Sequence, residues 1–367
     1  MLRMKRLVLG VLGALAVASA AIAAQQPPSP GSGAPEAPLS DTQKALAAVP
    51  RAYAVPKTPW GDPDLQGKWP GIDLVGVPMQ RPANLGTRNT LTEEEYRQRQ
   101  AAFDKQAAQD EAEFDLDAAT KTPGGDVGGP VSPPPHWLER GRPQYIASLI
   151  VDPADGRQPA LTAEATARTQ ARAIERKQSR RGPSDSYTDR SLYDRCVTRG
   201  IAGSFLPVIY NNGNEIVQGP GWVALRNEMI HETRIVPLDG RPAPSAAITS
   251  FMGSSRGWWE GNTLVVETTN FNERTSGIQV NGGGAPHSTA MKVTERITRM
   301  SPDLLVWRMT FDDPKTWVRS WTIELPLKRD DTYGMFEYAC HEGNYSMFNI
   351  LSGARADERA AEAAVRK

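Results

Sequence analysis

Alternating apolar and polar positions run through the chain from about Cys196 onward and predict a series of short β-strands. In residues 305–311 every odd position is apolar, whereas the even positions include Arg308 and Thr310. Successive residues of a strand point to opposite faces, so the odd positions form a buried face. Turn-forming residues divide the pattern into segments. The strands predicted here are residues 215–218, 222–225, 228–236, 248–252, 263–269, 291–298, 304–311, 317–325 and 335–340.

Short strands joined by short turns favour an antiparallel meander, and this many strands imply a closed barrel or a sandwich. We expect a mainly β fold that closes as a lipocalin-like barrel, with a β-sandwich as the alternative. The Gly67-x-Trp69 pair resembles the opening strand of lipocalin-like barrels, in which tryptophan closes the barrel floor.

Two helices are predicted on the periphery of this core. Thr92 precedes three glutamates, a capping sequence that starts a helix running to about Asp117. Thr162 starts a second helix, residues 163–180, and residues 145–151 have the apolar content of a strand. We therefore expect residues 58–190 to pack on a β-barrel core at 191–355, followed by a C-terminal tail at 356–367.

The first residues predict export. A basic start, an apolar stretch over residues 7–20 and the small residues Ala21-Ile-Ala23 are typical of a secretory signal peptide, here residues 1–24. Residues 25–57 are rich in proline and glycine and predict a disordered linker. No later stretch is apolar over about 20 residues, so no transmembrane segment is expected in the mature chain. The predicted location is the periplasm or the extracellular space.

An oxidising compartment permits a disulfide between the two cysteines of the chain, Cys196 and Cys340. The alternative is two buried thiols, because cysteine packs well as a small apolar residue.

Composition narrows the class of partner. The 42 basic and 42 acidic residues cancel, and the isoelectric point is near 6.9. The chain therefore lacks the basic excess of a nucleic-acid binder. With 39% apolar residues it is able to build a large core.

Several histidines and glutamates fall in phase with the apolar face of the predicted strands. Polar groups on such a face either pair with one another or carry out chemistry. We hypothesise that they converge in one interior pocket and act as acid–base catalysts, since imidazole titrates near neutral pH. The hypothesis of a metal site is weaker, because no local ligand motif is present. The remaining alternative is that each of these side chains is separately hydrogen-bonded and has no catalytic role. The candidate catalytic residues are His231, His287, Glu295, Glu337 and His341.

A second group of residues is suited to holding a ligand. Tryptophans stack on apolar or aromatic molecules, although core packing is their commoner role, and arginines or an asparagine contact polar groups. The candidate ligand-binding residues are Trp307, Trp321, Arg195, Arg199 and Asn211. Residues 253–257 match Gly-x-Ser-x-Gly with Ser255 central, but they precede a hairpin and not a helix, which disfavours a nucleophile elbow.

Four segments of the chain resemble a family of exported bacterial proteins to which no activity is assigned, and the resemblance covers about residues 59–355. It implies no cofactor or reaction, and no phosphate loop or dinucleotide fingerprint is present. We expect an exported small-molecule enzyme without redox cofactor, a lyase, isomerase or hydrolase, acting on a small, partly apolar or aromatic molecule. A lipocalin-like ligand carrier without catalysis is the alternative. The four segments are residues 194–200, 228–242, 255–267 and 338–345.

Overall fold

In the computed structural model, ten strands among the described residues form two antiparallel sheets. The structure describes residues 53–112, 138–178, 182–274, 277–278 and 284–366. The predicted signal peptide and most of the predicted linker lie outside the described residues. The prediction of a mainly β, antiparallel fold with few helices is confirmed.

The smaller sheet has four strands in the order β1-β3-β4-β5. Residues Gly219 and Trp222 face each other at the tight turn between β3 and β4. The strands are β1 (Gly67–Lys68), β3 (Asn214–Gly219), β4 (Trp222–Asn227) and β5 (Thr233–Pro237).

The larger sheet has six strands in the order β2-β10-β9-β8-β7-β6. Its last five strands are consecutive in the chain and form a simple meander. The strands are β2 (Ile150–Asp152), β6 (Ser254–Glu260), β7 (Thr263–Thr269), β8 (Lys292–Ser301), β9 (Leu304–Asp312) and β10 (Trp321–Lys328).

The two sheets bury their inner faces in one hydrophobic core. Ile216 and Val223 come from the small sheet, and Leu264 and Trp307 come from the large sheet. Strands β5 and β6 follow each other in the chain but belong to different sheets. They approach closely because Gly257 has no side chain: a Cβ there would lie 2.7 Å from the side chains of Val236 and Leu238.

Four helices are present among the described residues. The capping sequence starts α1 as predicted, since Thr92 and Glu95 exchange hydrogen bonds between side chain and backbone N–H. The last helix begins after Asn344, whose side chain accepts a hydrogen bond from the backbone N–H of Met347. The helices are α1 (Glu93–Ala112), α2 (Ala163–Gln178), α3 (Gly200–Gly203) and α4 (Tyr345–Val365), with 3₁₀ turns at Ile72–Leu74, Ala83–Leu85, Tyr187–Asp189 and Met229–His231.

Five predicted strands are corrected by the structure. The strand predicted at 317–325 begins only at Trp321, and the strand predicted at 145–151 begins only at Ile150. Residues 229–231 form a 3₁₀ turn because Ile230 and His231 have positive φ angles, 58° and 45°, so β5 begins only at Thr233. Residues 248–252 do not form the predicted strand, and the strand in this region, β6, begins only at Ser254. The strand predicted at 335–340 is an irregular segment that forms no ladder with the described strands.

Candidate functional site

The five candidate catalytic side chains do not share an interior pocket. His231, Glu337 and His341 are exposed, whereas His287 and Glu295 are buried. The prediction of convergence was wrong because it assumed an unbroken alternation. That alternation stops at the left-handed residues 230–231 and is absent from the irregular residues 335–341.

Glu295 is fully buried and satisfied by charge and hydrogen bonds. Both of its oxygens accept from the guanidinium of Arg234, at 2.5 and 2.8 Å, and Oε1 also accepts from Nε1 of Trp307 at 3.0 Å. A carboxylate paired in this way has its hydrogen-bonding capacity occupied by the fold. The geometry favours a structural ion pair at this position.

His287 lies in a second buried group. Its Nδ1 is 3.0 Å from the carbonyl oxygen of Ser288, and its ring packs edge-on against Phe271. Asp313 accepts hydrogen bonds nearby from Ser288 and from the hydroxyl of Thr316. Burial lowers the pKa of His287, partly offset by the Ser288 carbonyl and by Asp313. The imidazole is thereby favoured in its neutral form.

The two candidate ligand-binding tryptophans are core residues. Trp307 packs against Phe205 with ring centroids 4.2 Å apart, and Trp321 packs edge-on against Trp317 at 5.5 Å. Both indoles are fully buried. Their surroundings match core packing, the commoner of the two predicted roles.

Cys196 and Cys340 form a disulfide. Of the two alternatives drawn from the sequence, a disulfide or two buried thiols, the disulfide is confirmed. The bond joins the irregular segment 333–344 to the segment that precedes α3. Nδ1 of His231 contacts the carbonyl oxygen of Tyr338 at 2.9 Å on the same segment. Asn344 donates to the carbonyl oxygen of Asp194 at 2.9 Å and lies 3.2 Å from the sulfur of Cys196.

A cluster of three tyrosines lies beside this disulfide. The hydroxyl of Tyr193 is 2.6 Å from that of Tyr210 and 3.0 Å from that of Tyr338. The guanidinium of Arg199 lies over the ring of Tyr193, 4.6 Å from its centroid. Burial and the hydrogen bond to Tyr193 raise the pKa of Tyr210 to about 12.

A tyrosine and two glutamates form a second cluster, and together with the three tyrosines they make up the candidate site. The hydroxyl of Tyr333 lies 2.6 Å from Oε1 of Glu139 and 2.7 Å from Oε2 of Glu228. Burial, followed by the two carboxyl groups, raises the pKa of Tyr333 well above its ordinary value. The phenol therefore keeps its proton at neutral pH. We refer to Glu139, Tyr333 and Glu228 as the tyrosine–carboxylate trio.

Backbone and amide groups hold the trio in place. Glu228 accepts hydrogen bonds from the side chain of Asn211 at 3.0 Å and from the backbone N–H groups of Gly213 and Phe336. Glu139 accepts two hydrogen bonds from Asn212, one from its backbone and one from its side chain. The trio is thus positioned from four separate parts of the chain.

Three of the predicted ligand-binding residues lie near these groups. Asn211 holds Glu228, and Arg199 covers Tyr193. Arg195 lies over the ring of Tyr187, 5.1 Å from its centroid, in the same stretch of chain. Asn211 has a positive φ of 54°, which asparagine tolerates better than most residues.

Glu139, Tyr333 and the three clustered tyrosines were not among the residues predicted from the sequence. Glu139 lies outside the strands, between β1 and β2, and Tyr333 follows β10, so no periodic pattern links them. Glu228 is the first residue of the strand predicted at 228–236, and nothing in the neighbouring sequence indicates its contact with Tyr333. Ser255 is no nucleophile elbow, since it sits within β6 and its hydroxyl pairs with that of Thr268 at 2.9 Å.

The described residues contain no group of three or more His, Cys, Asp or Glu side chains arranged to hold a metal ion. Within the same ranges, no helix combines the length and apolar character needed to cross a bilayer. Comparison with known proteins finds no matching family model, no similar curated protein and no similar solved structure.

Proposed function

We propose that the protein is an exported enzyme that acts by acid–base chemistry on a small, partly apolar molecule, as a lyase, isomerase or hydrolase without redox cofactor. The site we assign to this chemistry is the tyrosine–carboxylate trio. One observation carries the proposal: a single phenol hydroxyl lies within short hydrogen-bond distance of two carboxyl groups.

The Tyr333 hydroxyl has fewer protons than it has carboxyl neighbours. A tyrosine hydroxyl has one proton and donates it to one acceptor. Two carboxyl oxygens therefore compete for the same phenol proton. A phenol that faces two carboxyl groups is able to give its proton to one side and take a proton from the other, which places an acid and a base at one site.

The surroundings of the trio suit a small, partly apolar substrate. Tyr333 and Glu139 are half-buried, so the trio is reachable from solvent. Phe336, which follows Tyr333 by three residues, is an exposed aromatic side chain beside the site. The neighbouring cluster of Tyr193, Tyr210 and Tyr338 adds phenol rings and hydroxyls at the same end of the small sheet.

The fold and the compartment form part of the proposal. We propose that the two sheets are the halves of one lipocalin-like barrel, open between β5 and β6 and between β1 and β2, with a β-sandwich as the alternative. The shared core and the close approach at Gly257 support the barrel. The Cys196–Cys340 disulfide supports a periplasmic or secreted location.

The test compares Tyr333→Phe with Tyr145→Phe across a panel of carboxylic esters, lactones and β-hydroxy acids. Tyr145 is a matched control because its hydroxyl donates to a carboxylate as well, but only to one, Glu93, at 2.7 Å. We expect the wild type and Tyr145→Phe to turn over one of these classes. Tyr333→Phe and Glu228→Gln should lose about 100-fold or more of that rate.

An independent readout is the ultraviolet difference spectrum of tyrosine ionisation, because the raised pKa of Tyr333 keeps its phenol protonated when ordinary tyrosines have lost their protons. Tyr333→Phe should therefore leave unchanged the number of tyrosines that ionise at about pH 10. Turnover that survives in Tyr333→Phe would contradict the proposal.

A lipocalin-like carrier without catalysis is the second candidate, since two antiparallel sheets are an architecture that small-molecule carriers use. The carrier would bind its molecule with unchanged affinity in Tyr333→Phe. Its affinity would fall instead when Trp307 or Trp321 is truncated.

A further inference from the structure

The disulfide joins two short stretches of chain that also meet through a pair of tyrosines. In the first stretch the backbone N–H of Cys196 donates to the carbonyl oxygen of Tyr193 at 2.9 Å. In the second stretch the backbone N–H of Cys340 donates to the carbonyl oxygen of Tyr338 at 2.8 Å. The hydroxyls of Tyr193 and Tyr338 lie 3.0 Å apart. One covalent bond and one polar contact therefore connect the same two stretches.

The second stretch belongs to the irregular segment 333–344, which forms no ladder with the described strands and has no fully buried residue. Separate polar contacts hold it. The backbone N–H of Phe336 donates to Glu228 at 3.0 Å, and the carbonyl oxygen of Tyr338 lies 2.9 Å from Nδ1 of His231. A segment of this kind opens locally at a lower free energy than the core strands do. The disulfide is the covalent link that keeps it closed.

The same segment supplies two tyrosines of the candidate site. Tyr333 contacts both carboxyl groups of the trio, and Tyr338 contacts Tyr193. The partners of these tyrosines lie outside the segment, so its release separates the phenols from the groups that they contact. Those partners are Glu139, Tyr193 and Glu228.

The two cysteines differ in exposure. Cys196 is 4% exposed, whereas Cys340 is half-buried and is the more accessible of the two. The thiolate of a dithiol reductant attacks the sulfur of Cys340 and forms a mixed disulfide, while the protein S–S bond breaks and Cys196 leaves as a thiolate that takes up a proton. The second thiol of the reductant then attacks the mixed disulfide and releases Cys340 as a thiol. The reductant gives up two electrons and two protons and ends as a disulfide.

We propose that the Cys196–Cys340 disulfide is a redox switch, which assembles the candidate site when it forms and releases segment 333–344 when a dithiol reduces it. The two sheets keep their shared core in both states, because their ladders do not include the segment. The site is then incomplete in a reducing compartment and complete in an oxidising one. The inference rests on the proposed function for the activity that is switched, whereas the release of the segment does not depend on it.

Coupling between the disulfide and the site acts in both directions. Because the disulfide brings Tyr338 to Tyr193, the contact between these tyrosines also brings the two cysteines together and resists reduction. A disulfide that only stabilised the sheets would be indifferent to this contact. Removing the Tyr338 hydroxyl should therefore make the bond easier to reduce.

Hydrogen–deuterium exchange of the full chain, read by mass spectrometry with and without dithiothreitol, tests the release. In the reduced wild type, peptides of segment 333–344 should exchange about tenfold faster or more, while peptides of β8 and β9 keep their protection at short exchange times. The Cys196→Ala, Cys340→Ala double variant should show the reduced pattern with and without dithiothreitol. Unchanged exchange in the segment, or an equal acceleration in the segment and in both strands, would overturn the proposal.

The equilibrium between disulfide and thiols in dithiothreitol buffers, measured by alkylation and mass spectrometry, tests the coupling. Tyr338→Phe should shift the equilibrium constant towards the thiols by about twofold to tenfold, the range expected for one net hydrogen bond. Tyr145→Phe is the matched control, because its hydroxyl donates to Glu93 outside the site, and its constant should equal that of the wild type. A Tyr338→Phe protein with the wild-type constant would refute the coupling and with it the switch.

Neither measurement involves turnover of a substrate. Failure of the proposed function would therefore leave both results in place, and failure of the switch would leave the expected effect of Tyr333→Phe in place. The link to activity is measured on the same samples, since dithiothreitol should lower the turnover of the wild type by about tenfold or more. Full turnover by the reduced protein would show that the disulfide does not control the site.

Discussion

Arg234 on the small sheet donates two hydrogen bonds to Glu295 on the large sheet inside the core, at 2.5 and 2.8 Å. No ladder joins β5 to β6 in the described residues, and this ion pair is a polar contact between two sheets that share an apolar core. Trp307 completes the group by donating to Glu295 from β9.

Replacing one partner should be costly. Arg234→Met leaves the Glu295 carboxylate buried without its counter-charge, and we expect the free energy of unfolding to fall by about 3–5 kcal/mol. Urea denaturation measures this directly. Arg226→Met is the control on the same sheet, because its pair with Glu215 is partly exposed and should contribute less than about 1 kcal/mol. An equal loss of unfolding free energy in the two variants would show that burial does not make the Arg234–Glu295 pair more costly to break than the exposed pair.

The disulfide should contribute strongly to stability. Cys196 and Cys340 are 144 residues apart, and closing so long a loop restricts the unfolded chain. We expect the Cys196→Ala, Cys340→Ala double variant to lose up to about 5 kcal/mol of unfolding free energy. Dithiothreitol should destabilise the wild type by a similar amount and leave the double variant unchanged. A similar effect of the reductant on both proteins would contradict the prediction.

Acid should weaken the fold through His287. Burial lowers the pKa of this histidine in the folded protein, whereas the unfolded chain takes up a proton near its ordinary pKa of about 6.5. The unfolded state therefore binds more protons just below that pH, and stability falls as the pH decreases. The contribution is complete above about pH 6.5 and is lost progressively below it.

Unfolding curves measured between pH 5 and 8, about the range in which histidine titrates, check this dependence. His287→Gln should flatten the acid side of the stability profile. His341→Gln replaces an exposed histidine and should leave the profile unchanged. An identical slope in the wild type and in His287→Gln would contradict the assignment.

Gly213 should be intolerant of a side chain because it lies against the trio. A Cβ at this position would come within 2.3 Å of the sulfur of Met335, 2.6 Å of the ring of Tyr333 and 2.7 Å of Glu228. Gly213→Ala should cost about 1–3 kcal/mol of stability through overpacking, and it should displace Tyr333. The change is measured by urea denaturation.

Gly353→Ala is the matched control for that variant. No atom lies within 4 Å of a Cβ at Gly353, which is exposed in α4. Alanine is the better helix former, so this change should be neutral or stabilising by up to about 1 kcal/mol. A Gly213→Ala protein as stable as Gly353→Ala would indicate that the trio moves aside freely.

The parts of the fold that repeat locally could be predicted from the sequence. The alternation around Trp307 gave β9 with its buried face, and the Thr92 capping sequence gave the start of α1. Local patterns fail where the backbone leaves its regular conformation. Ile230 and His231 adopt left-handed φ angles, and this moved His231 from the predicted interior to the surface.

The candidate site could not be predicted because it depends on contacts between distant residues. Tyr333 reaches Glu139 across 194 positions of the chain and Glu228 across 105. None of these residues belongs to a motif, and the disulfide that orders their surroundings was only one of two alternatives. Pairing over such distances is determined by the packed core, not by neighbouring residues.

The disulfide also decides how the protein would respond to a mechanical load. Strands β3 to β10 all lie between Cys196 and Cys340, whereas α4 begins five residues after the second cysteine. A force that pulls the two ends of the chain apart would peel α4 away and then act on the covalent bond. The covalent path of that tension bypasses the eight strands inside the loop, so they would be shielded from it.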